Sequence, residues 1–532
     1  MNVFIVSLFI ILLVCLFIQF KNSYRKDYIE QFKITNSESI SSLPSQLPTS
    51  PPPTPSNTTK HLIKDMSQYS KSIVKITVQN IEFDWIKPFS SKSNETIGTG
   101  FLINDEGIIV TCSHVVDNAI KIYVSIPMQG QEKYDANVIG ICPDLDVAIL
   151  QCSQLKNHKY LELGDSDTIK PNDKAIALGY PLGQDKLKFT SGIISGRQDG
   201  KLQIDTPING GNSGGPLLNE YGQVIGINFL KVRTEEAENV GYAIPIKQFI
   251  NIMEEMKTNK LVHSPKLGAM FQNMNSDMRK FIKNNKSECK SGFYVRNVVK
   301  DGPLYNAGLK TGDVLCSFDG IKLDNYGEMN VPWNIEKVHI FDYMKRLKNT
   351  QQLNITIWKS DNTIQKKQIT LNNPYINGVR NYYPTFEKVD FEVFGGLVVM
   401  KLANNHTPLI KHNNMNRYKD IKYKQDEVLV ITHVFPGSYI NKLNVLSKGD
   451  IIEKVNDLPV SNIMEYRNAI HSMKNVNNED FITIQALDKY YCVLPISLIL
   501  EDEPFLADKH KYKLGEVVQA HNDLEGRKIL GP

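Results

Sequence analysis

Apolar and polar residues alternate in Val74-Lys75-Ile76-Thr77-Val78, the two-residue period of a strand with one buried face. Short runs of this kind, separated by turns, recur as far as Ile250, and few segments before Lys247 carry a helical period. The pattern predicts a mostly β domain over 60–258: two packed antiparallel barrels, closed by an amphipathic helix over Lys247–Met256.

Two stretches before Lys60 break this rhythm. Val3–Phe20 is apolar except for Ser7 and Gln19. About eighteen helical residues at ~1.5 Å each reach across a bilayer core, which predicts a single-pass membrane anchor over 1–20, a cleaved signal segment being the alternative. Lys21, Arg25 and Lys26 follow the span, so the positive-inside tendency keeps the bulk of the chain cytosolic. Signal cleavage would instead deliver it to a secretory or organelle lumen. Residues 21–59 form a linker whose Pro/Ser-rich part, Ser45 to Thr58, is too poor in apolar residues to fold and reads as an extended spacer.

At 532 residues the chain is too long for one core and divides into about three domains. A net charge of +4 is near balance and gives no argument for nucleic acid. The 7 cysteines are scattered without a Cys-x-x-Cys spacing, which speaks against a zinc site or disulfide framework and for reducing surroundings. Gly302–Lys310 lacks phosphate-loop spacing because Leu309 separates Gly308 from Lys310. No metal, nucleotide or other cofactor is expected.

The chemistry concentrates in Gly210-Gly211-Asn212-Ser213-Gly214-Gly215-Pro216. Consecutive glycines permit a turn that sets backbone N–H groups beside a serine hydroxyl, as acyl transfer requires. A serine needs a base and a group to orient that base. His114 follows the end of the strand-like Gly107–Val110 run, and Asp146 opens the apolar run Val147-Ala148-Ile149-Leu150. Asp144, two residues earlier, is a second candidate acid, and the residues alone do not choose between them.

Gly98-Thr99-Gly100-Phe101, Thr111-Cys112-Ser113-His114-Val115-Val116, Asp144-Leu145-Asp146-Val147-Ala148 and Asn209-Gly210-Gly211-Asn212-Ser213-Gly214-Gly215-Pro216 occur in order, and together they resemble the DegP/HtrA (Deg) family of serine proteases. The resemblance implies a chymotrypsin-like double β-barrel and a triad of His114, Asp146 and Ser213. It also implies an oxyanion hole from the Gly211 and Ser213 amides with Asn212, and a specificity pocket lined by Ile208, Phe229 and Leu230 that suits an aliphatic residue. Where the family has Asn-Ala before the histidine this chain has Cys112-Ser113, which places a thiol near the site and raises redox inhibition as a question.

Ser291-Gly292-Phe293-Tyr294-Val295 followed by Gly302–Leu315 resembles a PDZ domain, expected over 262–373, with Gly292, Phe293 and Val295 capturing peptide C-termini. Val428–Ile431 and Ser447–Ile452 suggest a degenerate second PDZ-like domain over 378–505 suited to assembly, with 506–532 as a tail. The insertion Gly327–Trp333 and the helical run to Leu347 resemble the plant-type Deg branch. The family resemblance implies ATP-independent cleavage of unfolded polypeptides for protein quality control, by a trimer or hexamer. A protease-fold chaperone and a membrane-tethered PDZ adaptor are the competing function classes.

Overall fold

A computed structural model describes residues 66–206, 208–229, 240–282 and 289–520. The expected anchor, the linker and Leu230 lie outside these residues. Among the described residues no helix is long and apolar enough to cross a membrane.

Two closed six-stranded barrels follow one another. The first comprises β1 (Ile73–Phe83), β2 (Ser91–Leu102), β3 (Ile108–Thr111), β4 (Ala119–Ser125), β5 (Tyr134–Cys142) and β6 (Val147–Gln151), joined in the order β1-β2-β3-β6-β5-β4. The second contains β7 (Lys174–Gly179), β8 (Lys188–Gln198), β9 (Lys201–Ile204), β10 (Pro216–Leu218), β11 (Val224–Phe229) and β12 (Gly241–Pro245), in the order β10-β11-β12-β9-β8-β7. Closure removes the exposed edges that short strands would otherwise present. The helix Ile246–Thr258 buries Ile246, Phe249, Ile252 and Met256 against the first barrel's core. These positions fall at helical spacing, which is why the sequence pattern reports them.

Beyond the barrels, a sheet built on β13 (Ala269–Gln272), β14 (Phe293–Val298) and β15 (Val314–Phe318) runs on to strands Gln352–Trp358 and Ile364–Thr370. In the expected insertion, Glu328–Met329 pairs with Val338–His339, and only Ile340–Met344 of the run to Leu347 is α-helical. Arg346 lies over the Trp333 ring at 4.1 Å and donates to Asp167 of the protease region at 2.6 Å, fastening this module to the barrels. Cys289 and Cys316 form a disulfide with a Cα–Cα distance of 5.5 Å. This corrects the expectation from scattered cysteines: a bridge 27 residues apart in sequence has no short-motif signature. Cys112, Cys142, Cys152 and Cys492 are free and buried.

The last module is an eight-stranded sheet that includes Phe391–Phe394, Leu397–Lys401 and Leu429–Val434. Its helix Ile496–His510 continues past residue 505 because Leu506 and Ala507 lie on its buried face, and Tyr512 and Val518 are also in core clusters. The segment 506–520 is therefore folded, against the expectation of a tail. The tip of the β1–β2 hairpin docks on this module: Trp85 meets His406 edge-on at 5.2 Å, Phe89 packs on Phe435 at 5.5 Å, and the Thr432 hydroxyl donates to the Ile86 carbonyl at 3.0 Å.

Candidate active site

Strand pairing brings His114 and Asp146 together. Thr111, the last residue of β3, lies opposite Ala148 of β6. The residues just after β3 and just before β6 therefore emerge at the same end of the barrel. His114 follows in a one-turn helix, Ser113–Val116, and Asp146 ends a tight turn with a left-handed φ of 59°. The His114 Nδ1–H donates to Asp146 Oδ2 at 2.8 Å. The backbone N–H of His114 and the hydroxyl of Ser113 both donate to Asp146 Oδ1 at 2.9 Å. Burial alone would raise the Asp146 carboxyl, but the hydrogen bonds and charge of His114 outweigh it and hold it below the usual carboxylate range. Burial opposes the charged form of His114 as well, yet Asp146 and then Asp117 raise the imidazole above its ordinary value.

Asp144 is engaged elsewhere. It accepts the Ser264 N–H at 2.8 Å and pairs with Lys266 at 3.4 Å. The structure sets Asp146, not Asp144, against the imidazole.

Ser213 comes from the second barrel, in the turn between β9 and β10, and Thr99 of the first barrel clamps that turn. The Thr99 N–H donates to the Ser213 carbonyl at 3.0 Å and its hydroxyl donates to the Gly211 carbonyl at 2.6 Å. Thr111, three residues before His114, donates through its hydroxyl to the Thr99 carbonyl at 2.8 Å. The nucleophile turn and the base are thus tied to one buried threonine, whose role beyond its Gly-Thr-Gly-Phe string no local pattern shows. Gly214 has a φ of +86°, and a Cβ there would lie 2.1 Å from Thr111 Oγ1 and 2.3 Å from the Thr99 carbonyl. Only glycine lets the turn approach so closely.

Within the turn, the Asn212 N–H donates to the Asn209 carbonyl at 3.0 Å and the Gly214 N–H to the Asn228 carbonyl at 2.9 Å. Among the described residues, the Gly211 and Ser213 amides have no acceptor within the protein. Of the three candidate oxyanion donors, Asn212 is thus committed and the other two are not. The Ser213 hydroxyl makes no hydrogen bond to His114 in this conformation.

Phe229 stands edge-on to His114 at 6.3 Å, with the Lys201 ammonium 3.2 Å from its ring centre. Ile208 is 6 % exposed and packs in the second barrel's core with Leu202, Ile204 and Leu217.

Cys112, His114 and Asp146 hold potential metal-binding atoms within 4.8 Å of one another. Asp146 already accepts three hydrogen bonds, and the Cys112 thiol donates to the Asn228 carbonyl at 3.4 Å. Burial first, and then the Asp146 charge, push this thiol well above its ordinary value. These interactions describe an oriented imidazole rather than a metal centre.

Gly292, Phe293 and Val295 are not placed to capture a peptide. β14 is flanked by β13 on one side and β15 on the other, leaving no free edge. A Cβ on Gly292 would lie 2.6 Å from Val314 Cγ1 and 2.7 Å from the Leu315 carbonyl, so its backbone packs closely on β15. The open edge belongs to β13, preceded by the turn Leu267-Gly268 with a Gly268 φ of +66°. A groove runs between β13 and the helix Ile340–Met344, lined by Gly268, Met270, Phe341 and Met344.

Residues 98–227 match the family model described as a trypsin-like peptidase domain. A probable periplasmic serine endoprotease DegP-like of Marinomonas sp. (strain MWYL1) is 32% identical over 251 residues, covering 46% of this chain and 52% of that protein. The chain thus spans about half the length of this relative. The periplasmic serine endoprotease DegP of Escherichia coli (strain K12) is 27% identical over 394 residues, covering 71% of this chain and 73% of that protein. Among solved structures, the HtrA-type protease AlgW with decapeptide aligns at a TM-score of 0.46 and 24% identity, over 57% of this chain and 96% of that one. The double barrel with its paired His114 and Asp146 agrees with this likeness of the barrel region to trypsin-like peptidase domains, and in sequence the chain is similar to serine endoproteases named DegP.

Proposed function

We propose that the chain is an ATP-independent serine endopeptidase acting on unfolded polypeptides. The observation that carries this is the His114–Asp146 pair, tied through Thr99 and Thr111 to a serine turn with two uncommitted amides. Ser213 Oγ attacks the scissile carbonyl as its proton passes to His114 Nε2. Asp146 holds Nδ1 protonated and stabilises the imidazolium. The Gly211 and Ser213 amides receive the developing oxyanion. His114 then returns its proton to the leaving amine and activates the water that releases the acyl group. Before attack the Ser213 hydroxyl must turn toward the imidazole, so substrate binding or assembly of subunits completes the site. Ser213→Ala is expected to abolish fluorophosphonate labelling and casein cleavage together. Cleavage that persists in this variant would sink the assignment.

The module after the barrels serves as a PDZ domain whose peptide groove lies between β13 and the helix Ile340–Met344. Phe341 is exposed and lines that groove, so Phe341→Ala is expected to weaken binding of a C-terminal peptide about tenfold with little loss of fold. Asn325→Ala, beside Gly292, is expected to change it little. Fluorescence anisotropy of a labelled peptide tells the two apart, and the reverse ranking would restore the Gly292 turn.

The last module works in assembly, and the chain forms a trimer or trimer-based hexamer with the plant-type Deg layout. Its relatives are named periplasmic and its Cys289–Cys316 disulfide suits an oxidising compartment. Both favour a lumenal or secreted location for the folded region over the cytosol.

A further inference from the structure

The crevice beside His114 is lined by barrel residues, among them Asp117, Leu145 and Phe229, and by one residue from outside the barrels, Tyr383. Tyr383 lies between the two downstream modules, in a segment with its own fastening. Its backbone N–H donates to Glu387 Oε1 at 2.8 Å, and both oxygens of that carboxylate receive the Arg380 guanidinium, at 2.9 and 2.6 Å. Arg380 in turn lies over the Tyr382 ring at 3.9 Å, and the Tyr382 N–H donates to Asn405 Oδ1 at 2.9 Å. Phe386 packs on the core of the first barrel. Two anchored ends and an internal ion pair thus hold the Tyr383 ring at the crevice. A planar bidentate pair fixes such a loop far better than a single exposed contact.

Two of the acids lining the crevice are engaged: Asp146 holds His114 and Ser113, and Asp144 holds Ser264 and Lys266, while Asp117 accepts from Asn118. Lys201 covers the Phe229 ring. Tyr383 adds to this lining the one ring that comes from outside the barrels, where an incoming side chain meets it. We propose that Tyr383 is a specificity-determining residue that limits the substrate subsite beside His114 to small side chains. The inference rests on the peptidase reading above and adds a determinant from outside the catalytic domain. Tyr383 and Asp144 also line the groove beside β13, so one ring borders both the catalytic crevice and the peptide groove. Whatever shifts the downstream modules changes which sequences are cut.

The test maps cleavage sites in a library of unfolded peptides, using the full chain and its Tyr383→Ala, Tyr383→Phe and Glu387→Gln variants. The wild type is expected to prefer Gly, Ala or Ser at the residue preceding the scissile one. Tyr383→Ala is expected to admit Leu and Phe there, lowering KM for such peptides about tenfold with kcat retained. Tyr383→Phe keeps the ring and should keep the preference, whereas Glu387→Gln loosens the strap and should broaden it. An unchanged site profile in Tyr383→Ala, with normal fluorophosphonate labelling, overturns the inference and leaves the peptidase reading intact. A uniform loss of cleavage for every peptide overturns it too, since a wall residue acts selectively. Absence of both labelling and cleavage in the wild type removes the peptidase reading and this inference together.

Discussion

Asp146→Asn is expected to lower kcat by about four orders of magnitude while leaving the fold in place. The reason lies in which oxygen accepts which donor. Asp146 Oδ1 takes two hydrogen bonds, from the His114 N–H and the Ser113 hydroxyl, while Oδ2 takes the imidazole Nδ1–H. An asparagine keeps its carbonyl toward the pair of donors, because turning its NH2 there would oppose donors to donors. Its NH2 then faces Nδ1, which must become an acceptor. The imidazole is driven into the tautomer with its proton on Nε2, where it cannot receive the Ser213 proton. Asp146 also raises the imidazole, so residual activity in the variant should have its acid limb at lower pH than the wild type. The pH profile of kcat/KM reads both effects. A loss below tenfold, or an acid limb that does not move, would mean that Asp146 does not orient the base.

The candidate site was legible because each of its parts sits in a short local string. His114 follows a strand, Asp146 precedes one and Ser213 lies in a glycine turn, so pattern and resemblance converged on them. Thr99 shows where that legibility ends. Its partners Gly211 and Tyr180 belong to the second barrel, and nothing within the Gly98–Phe101 string predicts that its hydroxyl donates to one and accepts from the other. The strand order of the module after the barrels was hidden for a related reason. Leu267-Gly268-Ala269 and Ser291-Gly292-Phe293 both read as a glycine leading into a strand, and only the strand order puts β13 at the edge and β14 inside. Ile208 precedes the nucleophile turn and is buried with Leu202, Ile204 and Leu217, neighbours that strand pairing rather than spacing supplies. The disulfide was hidden in the same way, its two cysteines meeting through tertiary structure rather than through spacing.

The docked hairpin carries a second large expected effect: loss of stability on acidification. His406 has no solvent exposure; its Nδ1 accepts the Ala403 N–H at 3.0 Å and its ring lies against Trp85 at the hairpin tip. Burial pushes the imidazole down to about 4. His433, beside Phe435, is pushed down to about 4 as well, first by burial and then by Lys87, His510 and Lys448, with Asp84 opposing. A histidine lowered on folding binds more protons in the unfolded chain between the two values. Its contribution is complete above about pH 6.5 and is lost as pH falls toward 4. For His406 that corresponds to about 2 kcal/mol between pH 7 and 5. Glu503 acts in the opposite sense. Burial lifts its carboxyl to about 7, so its contribution is complete below the ordinary glutamate value and fades as pH rises through 7. Its loss falls in the same pH window as the histidines' gain and partly offsets it. His406→Asn keeps an acceptor for Ala403 and removes the titration. Chemical unfolding followed by Trp85 fluorescence, with Trp333 and Trp358 replaced by Phe, should lose about 2 kcal/mol more in the histidine-containing protein on going from pH 7 to 5. Equal pH dependence in the two proteins would show that His406 is not the group that ties hairpin docking to acidity.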